Sequence, residues 1–357
     1  MSADALPPGA DAERARAQPR PLARERPCLV TGASGFIGGR LVERLVREGQ
    51  QVRCLVRERS DTSRLAGLGV DLVRGDLARA DTLACAVRGC DRVLHCAALV
   101  SDWATVAEIA AANVAGTRNL LEAAAAAAVA RVVHFSTTDV YGHPGGLDID
   151  ESFTAARFRN WYAQTKLRAE AEVRRAQSQL GLQAVILRPA TVYGPGSRDV
   201  VGEIARAIRG GHMLLIDGGR AIAGLCYVEN LVDAALLALR SPAAPGRAFN
   251  VSDGLRVTWR RFVDDLADGL GCGHPRLSMP YRLACAVGFS LEHAYRLLRR
   301  ATGLTLAPLL SRQAVQVLGV DQDFSSASAR ELLGWEPRVG YEQGLSATLA
   351  WLRGEDR

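Results

Sequence analysis

A tyrosine and a lysine four residues apart are the side chains in this sequence best suited to acid–base chemistry. The segment reads Tyr162-Ala163-Gln164-Thr165-Lys166, and Lys166 is the only lysine in a chain otherwise rich in arginine. Residues at this spacing share one face of a helix. A compact ammonium beside a phenol favours the tyrosinate, and a guanidinium is too wide for that place. We therefore expect Lys166 to lower the pKa of Tyr162 toward working pH.

Three glycines spaced three apart form a second chemical feature. Gly32, Gly35 and Gly38 stand between the apolar run 28–30 and a segment with helical apolar spacing. In that strand–turn–helix setting, glycines permit a tight turn, close approach of the backbone to a pyrophosphate, and close packing of helix on strand. The loop therefore predicts a dinucleotide site at the N-terminus of a helix, where backbone amides and the helix dipole attract phosphate.

Two further positions bear on which nicotinamide cofactor binds. Arg57 ends the second predicted strand, and Arg59 and Arg64 lie nearby. An acidic residue at that point would bind the ribose hydroxyl of NAD, whereas an arginine accommodates the phosphate of NADP. The arginines therefore favour NADP(H), with NAD(H) as the alternative. Asp76, after the third predicted strand, is placed to accept a hydrogen bond from the adenine amino group.

Alternating strands and helices must position these residues. Strands with parallel neighbours and right-handed crossovers are expected where strands and helices alternate. We therefore predict an α/β protein with a doubly wound parallel Rossmann sheet, and a smaller, mostly helical C-terminal substrate domain. A helix rich in alanine is predicted over about 117–129. Apolar runs predict six strands, at 28–30, 51–56, 70–73, 92–97, 131–136 and 184–187.

The chain divides by composition into three parts. Residues 1–26, rich in Ala, Arg and Pro, predict a disordered leader. Residues 27–253 predict the NAD(P)-binding Rossmann domain, and part of the substrate pocket is expected from the Gly- and Pro-rich stretch 190–222. Residues 254–357 predict a substrate-binding cap.

Composition argues against several classes of function. The net charge is +6, but acidic and basic residues are interspersed, which argues against nucleic-acid binding. The six histidines lack ligand spacing and the eight cysteines form no CxxC pair, so we expect no metal site and reduced, buried thiols. No apolar run reaches spanning length and residues 1–26 lack a signal-peptide core. These features predict a cytoplasmic protein and leave membrane association open.

With these residues in view, the chain resembles an extended short-chain dehydrogenase/reductase of the NAD-dependent epimerase/dehydratase superfamily. The resemblance covers about residues 27–351 and implies an NAD(P)-dependent oxidoreductase on the Rossmann fold. The motifs that carry it, in chain order, are Thr31-Gly32-Ala33-Ser34-Gly35-Phe36-Ile37-Gly38, Gly75-Asp76-Leu77, His95-Cys96-Ala97-Ala98, Asn113-Val114-Ala115-Gly116-Thr117, Ser136-Thr137, Tyr162 to Lys166, Arg188-Pro189 and Tyr193-Gly194-Pro195-Gly196.

The resemblance implies a role for each residue that matches a family motif. Tyr162 would exchange a proton with the substrate oxygen, Lys166 would hold the nicotinamide ribose, and Thr137 would hydrogen-bond the same substrate oxygen. Ser136 is the neighbour most easily confused with Thr137, and Asn113 would fix the backbone near the active-site strand. The full set implied to bind the cofactor is Gly32, Ser34, Gly35, Phe36, Ile37, Gly38, Arg57, Asp76, Leu77, Ala97, Ala98, Asn113, Tyr162, Lys166 and Pro189.

Two branches of this family compete for the substrate assignment. Nucleotide-sugar epimerases and reductases usually carry a diphosphate-clamping arginine four residues before the Tyr of a Tyr-Val-acid-Asn segment. That segment is at 227–230 here, and the clamp position holds Ala223. Thr138-Asp139 stands where related dehydratases have an Asp-Glu pair, which disfavours a sugar dehydratase.

The C-terminal part, from Pro280 to Pro337, resembles the 3β-hydroxysteroid dehydrogenase-like branch instead. That resemblance implies a small hydrophobic substrate, a secondary alcohol or ketone. We expect foremost a sterol or steroid 3-position, with decarboxylation of a sterol 4-carboxylate or turnover of a long-chain β-keto acid as variants. A nucleotide-sugar epimerase or reductase is the alternative function. A non-enzymatic nicotinamide-binding regulator ranks lower, because such relatives tend to lack the Tyr/Lys pair.

Two expectations concern surfaces. The apolar helix predicted at 283–300 is either a core-facing helix of the cap or a surface for peripheral membrane contact. The resemblance also implies a homodimer, formed through the helices at 117–129 and 162–177.

Overall fold

A computed structural model describes residues 26–100, 104–155, 161–302 and 311–354 of the chain. The side chains of 293 and 296–302 also lie outside the described set. The leader predicted at 1–26 falls outside the described residues except for its last residue.

A seven-stranded parallel sheet forms the centre of the molecule, in the order β10-β6-β5-β4-β1-β2-β3. This sheet confirms the predicted doubly wound α/β class, and each of the six predicted strands is present within about two residues of its expected ends. Two small parallel sheets, β7 with β9 and β8 with β11, lie outside it. The strands are β1 (Cys28–Thr31), β2 (Val52–Val56), β3 (Asp71–Arg74), β4 (Arg92–His95), β5 (Arg131–Phe135), β6 (Ala184–Pro189), β7 (Thr191–Tyr193), β8 (Leu214–Ile216), β9 (Leu225–Tyr227), β10 (Ala248–Val251) and β11 (Leu277–Met279).

Helices alternate with the strands up to β6 and dominate the described chain after β10. A π-helical turn at 111–115 joins α3 to α4, and a 3₁₀ turn at 138–141 follows β5. The helices are α1 (Phe36–Arg47), α2 (Ala80–Val87), α3 (Val106–Ala110), α4 (Gly116–Ala126), α5 (Trp161–Leu180), α6 (Glu203–Arg209), α7 (Val228–Arg240), α8 (Trp259–Gly269), α9 (Tyr281–Thr302), α10 (Arg312–Gly319), α11 (Ala327–Leu333) and α12 (Tyr341–Gly354).

Helices cover both faces of the central sheet, because its parallel strands are apolar on both sides. On one face α2, α4 and α5 pack through Leu83, Leu120 and Val173. On the other, α1 and α7 pack together with Trp335, a residue from near the end of the chain. Trp335 is fully buried, and its indole nitrogen donates to the carbonyl of Asn230 at 2.9 Å.

A second core lies in the smaller body beyond the sheet. Its buried residues come from β7, β9, α6, α8 and α12, and include the aromatic side chains of Tyr193, Trp259, Phe262 and Tyr341. Phe324 lies beyond the predicted boundary between residues 253 and 254, yet it belongs to the core of the central sheet. It forms an isolated parallel β-bridge with Ile149. The part of the chain after residue 254 therefore contributes residues to both cores.

Candidate active site

The glycine loop connects β1 to α1 at the carboxyl edge of the sheet. Gly32 has φ +70°, and a Cβ there would lie 2.8 Å from the backbone nitrogen of Ala97. A Cβ on Gly38 would lie 2.1 Å from the carbonyl oxygen of Gly32, so α1 approaches the turn as closely as backbone allows. Gly35 caps α1 without a side-chain hydrogen bond, which leaves the first backbone amides of the helix directed at the loop.

A cavity of about 320 Å³ opens where the strand order reverses between β1 and β4. Ligands of doubly wound sheets bind at such a point. Arg57 is exposed at its end, and the hydroxyl of Ser60, a residue not predicted from the sequence, accepts a hydrogen bond from the Arg57 backbone at 3.1 Å. The lining includes eight of the predicted cofactor residues, Gly32, Ser34, Gly35, Arg57, Asp76, Leu77, Ala97 and Ala98.

These residues fit a nicotinamide dinucleotide. The loop brings backbone rather than side chains to the cavity, as a pyrophosphate requires, and Arg57 and Asp76 lie where the adenosine end would be held. A bound dinucleotide would supply or accept hydride.

A second cavity, of about 370 Å³, adjoins the first and shares Gly32, Gly35 and Cys96 with it. Thr137 and Tyr162 both line it, together with four more of the predicted cofactor residues, Phe36, Ile37, Gly38 and Pro189. The structure therefore brings the predicted hydroxyl and phenol to one space beside the cofactor cavity.

The structure distinguishes Thr137 from its neighbour Ser136. The hydroxyl of Ser136 donates to the buried carboxylate of Glu170 at 2.6 Å. Thr137 Oγ1 accepts from the backbone nitrogen of Asp139 at 3.2 Å, so its own proton is free to meet a ligand. Of the two, Thr137 is the better candidate to bind a substrate oxygen.

Tyr162 and Lys166 both lie in the first turns of α5, but they differ in setting. Tyr162 is partly exposed on the cavity wall, whereas Lys166 is 3% exposed and its ammonium donates to the carbonyl of Phe135. Burial lowers the pKa of Lys166 to about 8, against the charge of Glu170. Burial, with a smaller effect of the nearby Asp139, raises the pKa of Tyr162. The predicted lowering of the Tyr162 pKa is therefore wrong for this structure, because desolvation outweighs any attraction to the ammonium.

Asn113 acts from behind the cavity wall. Its side chain is bonded to both backbone groups of Leu99, which lines the cofactor cavity, at 2.7 and 3.1 Å. Its amide also donates to Thr165 of α5 at 3.3 Å. Asn113, like Lys166, therefore shapes the site from beneath its surface, and direct contact of either with a cofactor stays a prediction.

A buried ionic network that was not predicted from the sequence supports the site. Arg188 binds both carboxylate oxygens of Glu170, at 2.9 and 2.7 Å, and donates to the hydroxyl of Tyr141 at 2.8 Å. That hydroxyl in turn donates to Asn250 of β10 at 2.7 Å. The network links β5, α5, β6 and β10 beneath Ser136, and a bidentate arginine pair of this kind holds its partners in fixed geometry.

The far wall of the second cavity comes from the C-terminal part of the chain. Gln313 and Val317 of α10, and Gln322 after it, line the same cavity as Thr137. These three residues were not predicted from the sequence, since a glutamine on an amphipathic helix carries no motif.

Comparison with known proteins agrees with this geometry. Residues 28–252 match the model of the NAD dependent epimerase/dehydratase family. A 4-hydroxy-2-methyl-3-oxo-4-farnesyl-3,4-dihydroquinoline-1-oxide ketoreductase of Stigmatella aurantiaca is 35% identical, over 89% of this chain and 94% of its own. A 2-alkyl-3-oxoalkanoate reductase of Stenotrophomonas maltophilia is 33% identical, over 89% and 96%. A 3-beta-hydroxysteroid dehydrogenase of Mycolicibacterium neoaurum is 30% identical, over 90% of each chain.

Among solved structures, the UDP-glucose 4-epimerase of Thermus thermophilus in complex with NAD superposes with a TM-score of 0.72 at 26% identity. The superposition covers 92% of this chain and 99% of that one. The fold, the adjoining cavities and these relatives agree on a nicotinamide cofactor and an oxidoreductase with a hydrophobic substrate. The chain therefore belongs to the NAD dependent epimerase/dehydratase family, as an extended short-chain dehydrogenase/reductase of the 3β-hydroxysteroid dehydrogenase-like branch.

Proposed function

We propose that this protein interconverts a secondary alcohol and a ketone at the 3-position of a sterol or steroid, with NADP(H) as the preferred cofactor. The observation that carries the proposal is that Thr137 and Tyr162 line one cavity directly adjoining the cofactor cavity. Turnover of a sterol 4-carboxylate or a long-chain β-keto acid is a variant of the same reaction, since the ketone would meet the same two side chains.

The residues supply proton transfer and charge stabilisation at the substrate oxygen. In the reducing direction, Tyr162 donates its phenolic proton to the oxygen while Thr137 hydrogen-bonds it. The raised pKa of Tyr162 keeps the phenol protonated, so it holds the proton that this direction requires. The buried charge of Lys166, one helical turn away, would then stabilise the tyrosinate that remains.

The wall of the second cavity favours a hydrophobic substrate. Its apolar part includes Phe36, Val192, Val200 and Val317. Among the described residues that line this cavity, the positively charged side chain is that of Arg198, which is exposed to solvent. This arrangement suits a lipid ring or chain better than the diphosphate of a nucleotide sugar.

The position that clamps a diphosphate in nucleotide-sugar enzymes offers no such contact here. Ala223 is fully buried. Arg220, three residues earlier, is exposed to solvent and is not among the described residues that line the cavity. The relatives named above, two ketone reductases and a hydroxysteroid dehydrogenase, support the same choice.

The test is reduction of hydrophobic ketones by the purified protein, followed as NADPH absorbance. A panel of 3-ketosteroids and long-chain β-keto acids should be reduced, and UDP- and dTDP-sugars should not be turned over. Tyr162→Phe should lower kcat by about 10²- to 10⁴-fold with folding intact. Tyr193→Phe is the matched control, because Tyr193 is buried in the second core and its hydroxyl has no described partner. Turnover of nucleotide sugars alone would reverse the assignment.

We further propose that α9 rests on a lipid surface from which the substrate is drawn. Leu283 and Leu291 are 52% and 38% exposed, and the exposed Arg282 would meet anionic headgroups. No helix among the described residues is long and apolar enough to cross a bilayer, so contact would be peripheral.

Flotation with vesicles of phosphatidylcholine and phosphatidylglycerol should recover the protein, and Leu283→Ser should reduce recovery. Equal recovery of both proteins would contradict this.

A further inference from the structure

A group of polar side chains at the second cavity has no part in the proton transfer described above. This polar cluster consists of Asp139, Gln313 and Gln322, which line the cavity, and of the buried His143, which does not. Asp139 lies in the turn after β5, two residues beyond Thr137, and lines the cavity with it. Gln313 Nε2 donates to Asp139 Oδ2 at 3.0 Å, and His143 Nε2 lies 3.6 Å from Asp139 Oδ1. Two elements distant in sequence thus hold one carboxyl group in place.

The hydrogen bonds of the cluster determine which ring nitrogen of His143 carries hydrogen. Gln322 Nε2 donates to the carbonyl of Val320 at 3.0 Å, so its Oε1 faces His143 Nδ1 at 3.3 Å. An amide oxygen only accepts, and this network therefore assigns the ring hydrogen to Nδ1. His143 Nε2 then faces Asp139 Oδ1 at 3.6 Å without a hydrogen bond between them.

The orientation of this pair is fixed by the fold rather than by solvent. The side chain of His143 is 1% exposed, and its backbone is left-handed at φ +53°, a conformation that non-glycine residues seldom adopt. The side chain of Asp139 is 16% exposed, and that exposure is toward the cavity it lines. A carboxyl group has about four acceptor positions. Gln313 uses one of them, so Asp139 can still bind a ligand.

We propose that Asp139 is a specificity-determining residue that hydrogen-bonds a hydroxyl group on the carbon next to the carbonyl held by Thr137 and Tyr162. The preferred substrates would then be hydrophobic α-hydroxy ketones and the corresponding vicinal diols. Asp139 and Thr137 are adjacent on the cavity wall, and the Asp139 backbone nitrogen donates to Thr137 Oγ1 at 3.2 Å. The Asp139 carboxyl group lines the cavity and can form a hydrogen bond with a ligand hydroxyl there. The inference rests on the proposed function, since it assumes a ketone at Thr137.

The test compares two ketones that differ by one hydroxyl, benzoin and deoxybenzoin. Binding is measured by calorimetry with NADP⁺ present, where no reduction can occur. The wild-type protein should bind benzoin about tenfold more tightly than deoxybenzoin. Asp139→Ala should bind the two equally, and Asp139→Asn, whose amide oxygen can still accept from Gln313, should keep a reduced preference. Asp199→Ala, at the exposed mouth of the same cavity, should keep the full preference.

Reduction by NADPH provides the second measurement. The preference should appear in KM rather than kcat, because the hydroxyl bond forms in the ground state as well as in the transition state. Equal binding of the two ketones by the wild type, absence of binding of both, or a full preference in folded Asp139→Ala would each overturn the inference. Preferential binding of benzoin without reduction of either ketone would uphold it and instead count against the proposed oxidoreductase chemistry.

Discussion

Lys166 shows how a single buried charge can serve a site without appearing on its surface. Its ammonium is held by the carbonyl of Phe135, at the end of β5, and Glu170 lies one turn further along α5. Glu170 is itself paired with Arg188 and accepts a hydrogen bond from Ser136. The ammonium is therefore kept in place by a backbone carbonyl, and remains a source of positive potential beneath Tyr162.

We predict that Lys166 makes the stability of the protein rise with pH. Its pKa is about 8 in the folded protein, below its ordinary 10.5, so between these values the unfolded chain binds more protons than the folded one. The free energy of unfolding should therefore increase across that window, by up to roughly 3 kcal/mol more than in Lys166→Met. Urea denaturation at several pH values measures the difference. Identical pH slopes for the two proteins would contradict the buried charge.

The cofactor preference is argued from one exposed arginine. Arg57 lines the end of the cofactor cavity, and Arg74 shapes its turn by donating to the Arg57 carbonyl at 2.8 Å. Arg57→Ala should weaken NADPH binding by about tenfold or more and leave NADH binding nearly unchanged, because only NADPH carries the ribose phosphate. Fluorescence titration gives both dissociation constants. Arg59→Ala, outside the described lining, is the control, and equal losses for both cofactors would refute the assignment.

Residues in local motifs could be predicted from the sequence, and residues brought together by distant segments could not. Thr137 and Tyr162 each follow a recognisable strand or helix signal, and both line the expected cavity. Gln313 and Gln322 meet Asp139 and His143 only because the chain around α10 folds back over β5, and no local pattern encodes that contact. The pKa of Tyr162 was predicted in the wrong direction for a related reason: spacing reports neighbours on a helix but not burial.

At the scale of elements, the turn between β1 and α1 leaves no room for a side chain at one helix position. Gly38→Ala would place Cβ 2.1 Å from the Gly32 carbonyl oxygen, so α1 would have to move away from the loop. We expect loss of cofactor binding by tenfold or more, together with a lower melting temperature. Calorimetric titration with NADPH and thermal unfolding measure the two effects.

The next residue of the same helix supplies the control for that substitution. A Cβ on Gly39 would lie 3.4 Å from its nearest neighbours, which is ordinary contact. Gly39→Ala should therefore bind cofactor normally and be slightly more stable, since alanine favours helix over glycine. Parallel losses in both variants would show that the loop tolerates no change at all, and would refute the steric argument.

Strand prediction succeeded up to β6, where strands alternate with helices, and failed beyond it. β10, with four residues, and the three-residue strands of the two small sheets were not predicted. Length alone does not explain this, because β1, β3 and β4 are as short as β10. The later strands lack the regular alternation with helices, and their pairing depends on partners elsewhere in the chain. β10 pairs with β6 across a separation of about sixty residues, in the register of Phe249 with Leu187.

At the scale of the whole molecule, we predict a homodimer through α4 and α5. These helices pack side by side, tied by ion pairs of Arg118 with Glu172 and of Arg175 with Glu122. Ala171 is exposed on α5, and a bulky charge there should separate the subunits. Sedimentation equilibrium should give a dimer for the wild type and a monomer for Ala171→Arg. Ala84→Arg, on α2, should stay dimeric. A monomeric wild type at micromolar concentration would rule out this interface.

The late arrival of β10 and Trp335 has a consequence for biosynthesis. When a ribosome has released β6, at Ala184–Pro189, the outer edge of that strand has no partner until β10 follows. The helical layer that covers this face of the sheet is completed later still, by α11 and Trp335. At ordinary translation speeds the interval from β6 to Trp335 is on the order of ten seconds. The apolar edge of β6 stays unpaired for the first part of that interval, so the nascent chain is open to chaperone capture, or to joining a neighbouring polypeptide, before its nucleotide-holding half is complete.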